Sequence, residues 1–195
     1  PSQTLPEDSI NVMYSITNTT FEDTLEIDAL DKPKEVSPFI VLGEVFGFNG
    51  FIWAWDRYVL DKNYARTGPS YWKRNFKEGW EWDHNHWAIN FYGHPYQGAT
   101  YYNFARGARY GFYGSLLFTA LGSYTWEMFA ETVYPSINDL LATSIGGAVY
   151  GEVLYRLSRK FYGVEESSWY KQVAAFGFAH SAYLQRKVFG NRDGI

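Results

Sequence analysis

The five residues Pro135-Ser136-Ile137-Asn138-Asp139 constrain the fold more than any other part of the chain. Ser136 stands where a helix N-cap belongs. Asp139, at the third helical position, can return a hydrogen bond, a variant of the capping box that also sets negative charge at the positive end of the helix. A helix opening here is expected to run to about Phe161, with Tyr162-Gly163 closing it. Ser37-Pro38 repeats the signal ahead of Phe39-Ile40-Val41-Leu42, an N-cap with Pro at the first helical position, and predicts a helix to about Leu60. A third helix is expected from about Tyr96 through Tyr110, bending or restarting near Gly111 and Gly114 and ending close to Tyr134. A last one spans roughly Glu165 to Val188, opened by acidic residues and closed by Arg186, Lys187 and Gly190. Residues 61–93 are less regular. Gly68-Pro69 reads as a turn, and Trp80, Trp82, His84 and His86 alternate with Glu81, Asp83 and Asn85, which fits a short extended segment or an irregular aromatic loop.

Small residues recur at four-residue spacing in Gly107, Gly111 and Ser115, and again in Gly147 and Gly151. Such rows let two helix backbones approach closely, in membrane bundles and in tightly packed soluble ones alike. The longest uncharged run, Tyr110 to Trp126, holds several Gly, Ser and Thr residues and falls short of the ~20 apolar residues of a spanning helix. Glu44, Asp56, Glu152 and His180 interrupt the other apolar stretches, and the mean hydropathy is -0.33. A conventional polytopic inner-membrane protein is therefore disfavoured, unless the polar residues face a bundle interior.

Charge and composition divide the chain. Residues 1–36 hold eight acidic residues against Lys32 and Lys34, a net -6, so the rest carries +2 of the total -4. Such a segment buries little and should be an extended acidic arm. The expected fold is mainly α: a compact bundle of about four to five helices forming one domain over residues 37–195, with the arm and an irregular aromatic loop attached. Aromatic residues make up 21% of the chain, with 8 Trp, 17 Tyr and 15 Phe. Their apolar bodies and polar tips suit an interface with a partner or a bilayer. The acidic balance argues against nucleic acid as a partner. The absence of cysteine excludes disulfides, thiolate catalysis and Cys-ligated metals. Pro1 in place of Met fits a processed chain that has lost a signal peptide.

Candidate reactive groups gather mid-chain. Glu127 and Glu131 are four residues apart and share a helix face, and Asp139 lies just beyond the turn at Pro135. Placed around His94, Glu127 and Glu131 supply a ligand set for a divalent metal or a general base for an activated water, giving the candidate catalytic group His94, Glu127, Glu131 and Asp139. The alternative is structural: Glu131 and Asp139 serve helix ends, and Glu127 accepts hydrogen bonds from Trp or Tyr. His84 and His86 could chelate a metal on one side of a strand but have no third ligand fixed by spacing. His180, on the apolar stretch Val173 to Leu184, reads as a core histidine. Glu152 and Arg156 form an i,i+4 pair in the favourable order, read as structural together with Ser136, Gly147 and Gly151. No Walker A loop, dinucleotide fingerprint, Gly-x-Ser-x-Gly elbow or His-Glu-x-x-His is present, so no organic cofactor is expected.

Taken in order, Trp80-Glu81-Trp82-Asp83, Gly93-His94-Pro95-Tyr96-Gln97-Gly98, Tyr102-Asn103-Phe104-Ala105-Arg106, Trp126-Glu127, Pro135 to Asp139, Gly151-Glu152 and Tyr155-Arg156-Leu157-Ser158 form a recognisable series. The stretch from about Trp72 to Ser158 resembles the domain-of-unknown-function 3943 family of Gram-negative envelope proteins. The resemblance implies an exported protein, periplasmic or associated with the outer membrane, and often the front part of a longer polypeptide. Asn191 to Ile195 looks like an interrupted chain. More distantly, the order His, Glu, capped Asp, Gly-x-x-x-Gly looks like VanZ-type helical membrane families. Two function classes follow. The favoured one is a non-enzymatic envelope component that docks on the outer membrane or a partner protein. The alternative is a metal-assisted hydrolase or lipid-modifying enzyme using His94, Glu127 and Glu131. The oligomeric state is not encoded in any of these features.

Overall fold

The computed structural model describes residues 35–82, 87–162 and 168–189, apart from the Tyr162 side chain. These lie within one compact unit, Glu35–Ile195. The acidic residues 1–34, the Asp83-His84-Asn85-His86 segment, Glu165 and Gly190 lie outside the described residues.

The fold is mainly α, with seven helices among the described residues. Helix α1 runs over Pro38–Ala54 and continues as a π turn over Trp55–Val59, with Pro38 at its start as the sequence predicts. Helix α2 is Pro69–Glu78. It corrects the reading of Gly68-Pro69 as a simple turn. Proline there opens a helix because its missing N–H falls among the first-turn donors that have no intrahelical partner. Gly79 ends α2 at φ 88, a left-handed conformation that favours glycine. Helix α3 comprises a π turn, Ile89–Gly93, and an α-helix, His94–Gly107. The predicted restart after Gly111 is present: α4 is Phe112–Phe129, ending short of the expected Tyr134.

Helix α5 begins at Ile137–Leu141, passes through a π turn at Ala142–Gly146 and continues as Gly147–Tyr162. Its N-cap is the predicted one, Ser136 Oγ accepting from the Asp139 N–H at 3.2 Å. The last predicted helix is two, α6 (Trp169–Phe178) and α7 (His180–Phe189), because Ala179 leaves helical geometry at φ -143, ψ 70.

Helix α3 is central and packs on α4, α5 and α7, while α1 packs on α4 and α3. One apolar core gathers Val41 and Val45 of α1, Tyr101 and Ala105 of α3, Ala108 just after α3, and Phe118 of α4. The α3–α5 contact is closer. A Cβ on Gly147 would lie 2.5 Å from the Gly98 Cα, and one on Gly98 would lie 1.9 Å from the Thr143 carbonyl oxygen. Only glycine permits that approach, and it is what the small residue at 147 predicted. Gly151 meets the Tyr102 ring in the same way.

Helices α4 and α5 set a polar row inside and an apolar row outside. On α5 the residues Asp139, Thr143, Gly147, Gly151, Tyr155 and Ser158 are buried, while Ile137, Leu141, Ile145, Val149 and Val153 form an exposed i,i+4 row. Helix α4 repeats the pattern, with Ser115, Thr119, Ser123 and Glu127 buried and Tyr113, Leu117, Leu121 and Tyr124 exposed. Helix α1 exposes Phe39, Phe46, Phe51, Trp55 and Tyr58. The run Pro38–Val59 is long and apolar enough to cross a membrane, with mean hydropathy 1.3 and only 17% of its most apolar window buried. Among the described residues this span, rather than the uncharged run Tyr110 to Trp126, has the length and hydropathy of a membrane-crossing helix.

Candidate functional site

The starts of two α-helical segments and the end of a third meet in a buried polar junction. His94 opens the α-helical part of α3, and its neighbours Asp139 and Thr143 lie one turn apart on α5. The imidazole Nδ1 lies 3.1 Å from Thr143 Oγ1, and Nε2 lies 3.5 Å from Asp139 Oδ2. All three residues are buried. From Asp139 the network continues through the cap. Asn138 Nδ2 donates to Asp139 Oδ1 at 3.0 Å, and Ser136 Oγ donates to Asn138 Oδ1 at 2.9 Å. The Ser136 N–H donates to Glu127 Oε2 at 2.9 Å, which ties the end of α4 to the start of α5. Glu81 clamps the same turn from outside, its N–H donating to the Pro135 carbonyl and its carbonyl accepting from the Ile137 N–H, both at 2.9 Å. The segment that alternates in sequence is thus extended at Glu81, which forms a bridge pair with Ser136.

Three of the four candidate catalytic residues join this junction. His94 and Asp139 touch, Glu127 is linked through Ser136, and Glu131 is elsewhere. The Glu131 carboxylate accepts from Trp126 Nε1 at 2.8 Å and lies toward Tyr64 and Asp56 at the end of α1. The Tyr64 phenol donates to Asp56 Oδ2 at 2.7 Å. Burial, that hydrogen bond and the two carboxylate charges hold its pKa far above the ordinary tyrosine value. Among the described residues no three His, Asp or Glu side chains gather to hold a metal ion. The proposed set His94, Glu127 and Glu131 is divided because Glu127 and Glu131, though four apart, straddle the end of α4 at Phe129. Beyond the helix end, i,i+4 spacing no longer fixes a common face.

Chemically, the junction can hold a proton between His94 and Asp139 and can fix the angle between α3, α4 and α5. Its hydrogen bonds satisfy buried groups that would otherwise be costly to desolvate, at roughly 1–3 kcal/mol each. Thr143 was missed in the sequence, although its position one turn after Asp139 marks the same face.

A second cluster surrounds Glu152. The predicted i,i+4 partner is present, with Arg156 Nε donating to Oε1 at 2.7 Å. Arg106 Nε donates to Oε2 at 2.9 Å and the Tyr102 hydroxyl to the same oxygen at 2.8 Å. Tyr102 and Arg106 lie on α3, so Glu152 joins two helices rather than decorating one. Arg106 also lies over the Tyr155 ring, 4.4 Å from its centroid. His180 is half-buried and packs against the rings of Tyr96 and Phe176 at 6.3 and 6.1 Å.

A third feature has no counterpart in the sequence reading. Helices α1, α2 and α4 enclose a groove of about 630 Å³, walled mainly by Phe46, Trp53, Trp72 and Phe129. Its residues come from three separate segments, so no local pattern announces it.

Neither a curated protein nor a solved structure matches the chain. A family model does, over residues 79–180, which covers α3, α4, α5 and α6 and therefore both the His94 junction and the Glu152 cluster. On that match, which takes in more than half of its length, the chain belongs to the family described as Domain of unknown function (DUF3943).

Proposed function

We propose that this domain is a non-enzymatic helical component of the bacterial envelope that sits within a lipid bilayer. The observation that carries the reading is the outward row Ile137, Leu141, Ile145, Val149 and Val153, set back to back with buried Asp139, Thr143 and Ser158 on one helix. In water such a row favours association. In hydrocarbon it is the ordinary lipid-facing surface, and the polar residues belong where they are, inside the bundle. At 1.5 Å per residue, the row from 137 to 153 covers roughly 24 Å, close to the ~30 Å hydrocarbon thickness. The exposed face of α1, the rows on α4 and the close α3–α5 contact at Gly98 and Gly147 support the same reading. The resemblance to Gram-negative envelope proteins favours the outer membrane over the inner one.

Membrane fractionation tests this. The full chain expressed in a Gram-negative host is expected in the membrane fraction after carbonate washing, and brominated lipids are expected to quench its tryptophan fluorescence. A monodisperse protein purified without detergent would overturn the proposal, and would leave a protein partner as the cover for the apolar rows.

The contact of His94 with both Asp139 and Thr143 favours a second reading, a hydrolase or lipid-modifying enzyme in which His94 acts as base, with a divalent metal where further donors complete the set. Metal analysis of purified protein and comparison of folded His94→Ala and Glu127→Ala variants separate the two. Unchanged envelope function in both variants, without bound metal, would eliminate the enzyme.

A further inference from the structure

We infer that the groove between α1, α2 and α4 binds one long-chain acyl group, with Thr67 as its single polar contact. The groove volume, about 630 Å³, is in the ~300–1,000 Å³ range of small-molecule sites. The walls offer almost nothing to hydrogen-bond. The indole N–H of Trp53 is spent on the Ala65 carbonyl at 2.9 Å, and that of Trp72 on the Phe129 carbonyl at 2.9 Å, so both rings present apolar surface.

The polar side chains of Asn49 and Thr125 in the lining are also engaged. Asn49 donates to the Gly122 carbonyl and to Thr125 Oγ1 at 3.0 and 3.1 Å and accepts from the Tyr101 hydroxyl, while Thr125 donates to the Gly122 carbonyl at 2.9 Å. The exception is Thr67 Oγ1, which is buried with no hydrogen-bond partner. Rotation of Thr67 about its Cα–Cβ bond turns this unspent hydroxyl toward the groove, where it matches a ligand with a long hydrocarbon portion and one accepting oxygen, as in a carboxylic acid or ester.

The source of such a ligand is the bilayer, and this step rests on the proposed function. Phe46 both lines the groove and belongs to the exposed apolar face of α1, so the groove is continuous with the surface set against lipid. A chain from a neighbouring lipid can enter without crossing water. Gly50 keeps the space open: it lines the groove, and a Cβ placed on it meets nothing within 4 Å.

Native mass spectrometry of the full chain tests the inference, with two probes: palmitoyl-oleoyl phosphatidylethanolamine in mild detergent, and oleate. The expected result is one bound molecule per chain. Gly50→Phe is expected to weaken binding roughly tenfold or more, since a ring there displaces about two methylenes. Thr67→Val, which keeps the shape and removes the donor, is expected to weaken it by a smaller factor and carries the test should Gly50→Phe not fold. Retention of phosphatidylethanolamine identifies a membrane lipid as the source, and retention of oleate alone a free fatty acid. Binding that is absent, or that is indifferent to both substitutions in folded protein, would overturn the groove assignment while membrane integration stands. Solubility without detergent would overturn the bilayer reading, and oleate titration in buffer would still decide the groove.

Discussion

The α3–α5 contact gives the most demanding prediction, through Gly147→Ala. The added methyl would lie 2.5 Å from the Gly98 Cα, 2.7 Å from its carbonyl carbon and 3.0 Å from the Ala99 nitrogen. These are backbone atoms of a helix and cannot rotate away. Ordinary carbon contacts of about 3.5–4.0 Å require the helices to separate by roughly 1 Å. Overpacking of this kind costs about 1–3 kcal/mol, and the rigid neighbours put this case at the upper end. The same shift lengthens the His94–Thr143 contact, now 3.1 Å, beyond hydrogen-bonding distance, which removes roughly another 1 kcal/mol. The better helix propensity of alanine returns about 1 kcal/mol.

A net loss of about 3 kcal/mol should lower the midpoint of thermal unfolding by roughly 6–12 °C in a chain of this size, followed by near-ultraviolet circular dichroism. Gly47→Ala is the internal control. A Cβ there meets nothing within 4 Å, so it should melt with or above the wild type. If Gly147→Ala also melts with the wild type, the close approach of α3 and α5 is wrong.

Val149→Asp and Ile145→Asp place a charge on the outward row of α5. In a bilayer each should cost about 2.5–3.5 kcal/mol and deplete the protein from washed membranes. On a water-facing surface the same changes should fall within about 0.5 kcal/mol of neutral. Glu127→Ala leaves the buried Ser136 N–H without this acceptor and should cost about 1–3 kcal/mol, with faster amide exchange at the start of α5; Glu127→Gln, whose amide oxygen still accepts, should recover most of it. Arg106→Ala should destabilise by about 1.5–3 kcal/mol, because it breaks a partly buried charged hydrogen bond. Arg156→Ala, at a side chain 75% exposed, should cost under about 1 kcal/mol, and equal losses in a paired unfolding titration would contradict the inter-helix role of Glu152.

The elements that could be read from the sequence are those whose signals are local. The Ser136 cap, the start at Pro38, the restart near Gly111 and the Glu152–Arg156 pair each depend on residues within one or two turns, and each is found in place. Local signals also have a limit, seen at Pro69 and Ala179. Proline after glycine fits a turn and a helix start equally, and the break at Ala179 has no sequence marker beyond the preceding Gly177-Phe178. The candidate site shows the same division. Asp139 and Thr143 share a face by spacing, but their meeting with His94 depends on α3 docking against α5, and that docking depends on Gly98 and Gly147 admitting each other's backbones.

Mean hydropathy hides the facing of each residue for a related reason. A mean of -0.33 counts Asp139, Thr143, Ser144 and Ser158 against α5, and Ser115, Thr119, Ser123 and Glu127 against α4, as though every residue met the same solvent. Sorted by face, the sum separates into a buried row that carries these polar residues, several of them hydrogen-bonded as Thr119 Oγ1 is to the Ser115 carbonyl and Ser158 Oγ to the Ala175 carbonyl, and an outer row of Ile, Leu, Val and Tyr that runs to Val153 on α5. Under the proposed bilayer setting these polar residues are the ones a bundle interior accommodates, and the direction each residue faces matters more than the average. The aromatic excess fits the same division. Trp55, Tyr58, Trp87, Tyr92, Tyr113 and Trp169 are exposed, and side chains with an apolar body and a polar tip are suited to the boundary between hydrocarbon and water.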